Sequence, residues 1–211
     1  MALTQDIGRR IELVSMDSRF HDISIALYRQ GEYGRPVFYI HSYSRLDGVS
    51  GRIEFVAHAM SVLGDMVRDG LRFHFPCGAS HELACRRLFL EACKVDPAAD
   101  VEPRPLSVSD KRSNADVTLL SLGDGVYRLT GDATDAKSVE RRLSIGAGLV
   151  KLGQMQWVEG DKERFAFPCG QSHDRLLGLL LIHALNVKGV EREEQMAAAR
   201  GQLLAPSAQK Q

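Results

Sequence analysis

The sequence predicts an α+β protein built from two tandem, similar repeats, each βββ-α-ββ-α, related by a pseudo-twofold axis. Three observations predict it. The stretch RFHFPCGASHE (Arg72–Glu82) returns 92 positions later as RFAFPCGQSHD (Arg164–Asp174). A second, weaker match, LGDM (Leu63–Met66) on LGQM (Leu152–Met155), extends it upstream at a shift of 89. Around both matches the apolar pattern changes in the same order, from the alternation of strands to the three-and-four spacing of helices. A repeat this long marks a duplicated domain and not a solenoid, which stacks several short units.

The elements follow in chain order. IELVSM opens the first repeat as a strand and LSVSD opens the second. A hairpin comes next, ISIALYR to VFYIHSY in the first repeat and VTLLSL to VYRLTG in the second. The second hairpin closes on GDG, because glycine supplies the positive φ that a tight turn needs. Ile53, Val56, Met60 and Leu63 then recur at helical spacing. Gly64 and Gly153 stand where a left-handed residue would cap that helix. Another hairpin follows, through RDG in the first repeat and EGDKE in the second, and a closing helix starts at Ser80 or Ser172. Leu176–Val187 is apolar on nearly every side, which places the closing helices near the centre.

These elements divide the chain into a first repeat (1–95), a proline-rich linker (96–105), a second repeat (106–189) and a charged helical extension with a frayed tail (190–211). Three prolines within DPAADVEPRP remove backbone donors that helices and central strands require.

Composition narrows the function classes. Lys+Arg and Asp+Glu number 27 each, and no basic stripe accompanies that balance, so no nucleic-acid partner is expected. The longest apolar run, Leu176–Leu185, is shorter than the roughly 20 residues a bilayer demands, so no membrane partner is expected. The N-terminus lacks a signal-peptide pattern, and four cysteines in 211 residues form no disulfide framework. The expected compartment is the reducing cytoplasm. The oligomeric state is left open.

One motif carries chemistry, the paired FPCG-x-SH loop. Pro76 and Pro168 end a strand, Gly78 and Gly170 permit a sharp turn, and Ser80 and Ser172 suit a helix N-cap. A structural loop explains all of these but leaves the paired histidines, His81 and His173, unexplained. The preferred functional reading is a small, anionic ligand held by Gly78, Ser80, His81, Gly170, Ser172 and His173 at the helix N-termini, or in the cleft between repeats. An enzyme reading makes Cys77 or Cys169 a nucleophile with His81 or His173 as its base. A third reading is a structural or interaction protein with no ligand. Cys77, His81, Cys169 and His173 also have the donor chemistry of a tetrahedral zinc site if the two loops meet, but Cys-x₃-His twice is a weak signal. The sequence reading therefore assigns no metal and no cofactor.

The remaining polar residues form no paired constellation. Cys169 to Arg175 fits C-x₅-R, the spacing of cysteine-phosphatase loops, but Leu83 stands where the first repeat would need the arginine, so the match is read as accidental. Cys85 and Cys93 fall on Leu177 and Leu185, which marks them as core residues. His183 falls on Glu91, which suggests an exposed helix face.

Overall fold

The computed structural model describes residues 11–18, 23–32, 35–42, 49–111, 115–161, 163–189 and 195–196. It is a mixed α+β structure with two five-stranded antiparallel sheets. The first half runs β1 (Ile11–Ser18), β2 (Ile23–Glu32), β3 (Arg35–Ser42), α1 (Val49–Gly64), β4 (Val67–Asp69), β5 (Arg72–His74) and α2 (Glu82–Ala92). The second runs β6 (Ser107–Asp110), β7 (Ala115–Gly123), β8 (Val126–Gly131), α3 (Ala136–Gly153), β9 (Gln156–Trp157), β10 (Arg164–Ala166) and α4 (Asp174–Ala184). The sheet orders are β1-β2-β3-β5-β4 and β6-β7-β8-β10-β9. Most of the expected extension at 190–211 lies outside the described residues.

Strand alternation decides which face is buried. Phe38 and Ile40 of β3 point inward with Ile25 and Leu27 of β2, and Val117, Leu119, Tyr127 and Leu129 do so in the second sheet. The β7–β8 hairpin turns at Gly123, Asp124 and Gly125, with φ of 90°, 50° and 71°. Asp124 and Gly125 are its central pair, and positive φ at both suits the right-handed twist of the strands.

Helices join the two halves. α1 packs on β2 and β3 and α2 on β1, while α3 packs on β8 and α4 on β6. The helix pairs then meet through α1–α4, α2–α3 and α2–α4 contacts, and one apolar core runs through both halves. α4 is buried along nearly its whole length, at Leu176, Leu177, Gly178, Leu179, Leu180, Leu181, His183 and Ala184. No helix among the described residues is long and apolar enough to cross a membrane. Arg141 of α3 ties these elements together. Its guanidinium donates to buried Asp110 through Nε at 2.8 Å and Nη2 at 3.2 Å, and Nη2 also donates to the Leu185 carbonyl at 3.0 Å.

Two local expectations are corrected. Gly64 and Gly153 do not adopt the left-handed conformation; Asp65 and Gln154, one residue later, do so at φ 53° each. The glycines serve packing instead. A Cβ on Gly64 would run into Leu88 of α2, and one on Gly153 would lie 3.2 Å from Leu180 of α4. His183 is not on an exposed face either. It is 9% exposed, and its Nε2 lies 3.2 Å from Oε1 of Glu91, 92 positions earlier in the chain. Helix α2 meets α4 there, so the polar pair is covered by helix packing.

Candidate functional site

Each FPCG segment is a hydrogen-bonded turn. The Gly78 N–H donates to the Phe75 carbonyl at 2.9 Å, and the Gly170 N–H donates to Phe167 at 3.0 Å. Proline in the second position suits such a turn, and glycine in the fourth accepts the positive φ seen at Gly78 (75°) and Gly170 (69°). The chain then enters α2 or α4. The cysteine is lifted on the turn and the histidine four residues on stands at the helix start.

The N-caps differ from the sequence expectation. They are His81 and His173, one residue after Ser80 and Ser172, and neither helix has a side-chain cap hydrogen bond from its cap residue. In the second half the Tyr127 hydroxyl takes over part of that role. It accepts the His173 N–H at 2.7 Å and donates to Asp174 Oδ1 at 2.7 Å. Burial, and then the bond to Asp174, hold the Tyr127 phenol protonated well above its ordinary range. The paired sequence segments do not reveal Tyr127, because Phe38, without a hydroxyl, stands opposite it when VFYIHSY is laid on VYRLTG.

The two loops meet. Cys77 Sγ lies 3.2 Å from His81 Nε2, and Cys169 Sγ lies 3.2 Å from His173 Nε2. The His81 and His173 rings stand 4.6 Å apart, centroid to centroid, at 71°. One ligand atom from each of the four side chains falls within 4.8 Å of every other. Phe75 and Phe167 wall the cluster, each edge-on to both imidazoles at 4.9–5.8 Å. The imidazoles are buried, at 7% and 4% exposure, whereas both cysteines are only partly buried.

This environment sets the protonation states. Burial, reinforced by neighbouring His173, pushes His81 down to about 4. Burial also pushes His173 down, against the opposing pull of Asp65 and Asp174. Burial pushes the Cys77 thiol up; the Ala79 N–H opposes that, while Cys169 adds to it. The metal-free cluster is therefore two neutral imidazoles facing two sulfurs, with no imidazolium to stabilise a Cys77 thiolate.

The other sequence candidates fall elsewhere. Arg175, the arginine of the C-x₅-R spacing, pairs with Asp65 at 3.4 Å. Cys85 and Cys93 are 0% and 1% exposed, and burial holds both thiols protonated. Gly78 and Ser80, and Gly170 and Ser172, lie between the cysteine and the histidine of the same two loops. No family model, no curated protein and no solved structure matches this chain.

Proposed function

We propose that the protein binds one Zn²⁺ through Cys77, His81, Cys169 and His173, and that the ion staples two duplicated halves across a pseudo-twofold axis. The observation that carries this reading is the convergence of two sulfurs and two imidazole nitrogens, one Cys–His pair from each half, within 4.8 Å.

The donors fit the ion. A tetrahedral Cys₂His₂ zinc site has a sulfur-to-nitrogen edge of ~3.5 Å, given Zn–S and Zn–N bonds of about 2.3 and 2.0–2.1 Å. The 3.2 Å Cys–His separations are close to that edge. Two thiolates cancel the charge of Zn²⁺, so the filled site is neutral and suits walls made by Phe75 and Phe167. Four protein ligands leave no position for a reacting water, which favours a structural role over a catalytic one. The anionic-ligand reading of the same loops has less support, because burial keeps His81 and His173 neutral. The nucleophile reading of Cys77 has less support for a parallel reason, since burial disfavours its thiolate.

The duplication is part of this reading. Residues near a twofold axis meet their own equivalents, and positions 92 apart do so here: His81 with His173, and Glu91 with His183. The like order of strands in the two sheets supports the same relation.

Native mass spectrometry of zinc-treated protein tests the proposal. One zinc per chain is expected in the parent and in Cys85→Ser, and none in Cys77→Ser or Cys169→Ser. A parent that retains no zinc, or cysteine variants that retain it equally, would refute the assignment.

A further inference from the structure

We infer that Cys77 and Cys169 form a reversible peroxide-driven disulfide that expels the metal. This inference rests on the zinc reading above and assigns the site a modification. Three observations carry it. The two sulfurs lie within 4.8 Å of each other, so side-chain rotation brings them toward bonding distance. The cluster is two-sided: both histidines are buried and both cysteines are partly exposed, so an oxidant from solvent meets sulfur first. The remaining cysteines, Cys85 and Cys93, are buried in the core and offer no competing partner.

The oxidant is hydrogen peroxide. One thiolate attacks a peroxide oxygen, an S–O bond forms, the O–O bond breaks, and the departing hydroxide takes a proton to become water. The second thiolate attacks that sulfenic sulfur. The S–S bond forms, the S–O bond breaks, and the second hydroxide leaves as water after taking a proton. Each sulfur has lost one electron and the peroxide has gained two. Zinc then keeps only His81 and His173, half of its ligand set, and dissociates. A thiol reductant returns two protons and two electrons to the disulfide and restores the site.

The test uses the full chain loaded with one equivalent of zinc and treated with hydrogen peroxide. Released zinc is read with a chromogenic chelator, and cross-linked peptides are read by mass spectrometry. The expected result is one zinc released per Cys77–Cys169 disulfide, with Cys85 and Cys93 still reduced. Dithiothreitol with added zinc is expected to restore loading. Loaded protein that keeps its zinc under peroxide, or loses it with only sulfinic or sulfonic acid formed at single cysteines, would overturn the switch and leave the zinc site standing. A chain that never loads zinc would overturn both, and the loading step shows this before peroxide is added.

Discussion

Zinc is expected to raise the melting temperature of the intact chain, and a strong chelator to lower it again. A ligand bound only by the folded state at 100 times its Kd contributes ~2.7 kcal/mol. For a chain of this size, each kcal/mol moves the midpoint by roughly 2–4 °C, so a rise of roughly 5–10 °C is expected. Residual binding by cysteines and histidines in the unfolded chain reduces that figure. Because each half supplies one Cys–His pair, Cys77→Ser and Cys169→Ser should lose most of the rise. Phosphate in place of zinc discriminates the competing reading of the loops. A phosphate-dependent rise abolished by His81→Ala or His173→Ala would support an anion site. No shift with zinc in the parent would count against the staple.

The second large effect concerns a glycine. Gly178→Ala is expected to destabilise the protein by about 1–3 kcal/mol, the ordinary cost of overpacking. Gly178 lies in the buried helix α4, and a Cβ there would enter the space of the Arg104 carbonyl oxygen, with the Pro105 oxygen 3.1 Å away. The obstacle is the main chain at Arg104 and Pro105, so no side-chain rotation relieves it. Gly51 provides the comparison. It sits exposed in α1 with nothing within 4 Å of a would-be Cβ. Gly51→Ala is therefore expected to be neutral or to stabilise by up to ~1 kcal/mol through helix propensity. Urea unfolding of the two variants checks the contrast. A Gly178→Ala protein as stable as the parent would show that Arg104 and Pro105 do not rest against α4.

The elements were largely legible in the sequence because each depends on local pattern. Alternation marked β2 and β3, three-and-four spacing marked α1, and GDG marked the β7–β8 turn. The Cys–His loops were legible as a pair for the same reason, since repetition is visible along a chain. What the loops do together was not. Whether Cys77 faces Cys169 depends on how α2 and α4 pack, and no periodicity within either segment encodes that approach. The same gap misplaced His183. Its match to Glu91 looked like a tolerant surface position, but the two are paired across the α2–α4 contact at 3.2 Å. The place of Gly64 at the end of a helical pattern suggests a left-handed cap, which is common there. The stronger constraint was distant, the Leu88 side chain packed against it. Serine capping failed by one residue because the chain enters the helices at His81 and His173. That shift also puts each imidazole beside the cysteine of its own turn.

X-ray absorption at the zinc edge of the loaded protein tests the central claim most directly, because it counts sulfur and nitrogen neighbours without any substitution. The expected shell is two sulfurs at ~2.3 Å and two imidazole nitrogens at ~2.0–2.1 Å. A shell of oxygens, or one with a single sulfur, would contradict a site built from Cys77, His81, Cys169 and His173.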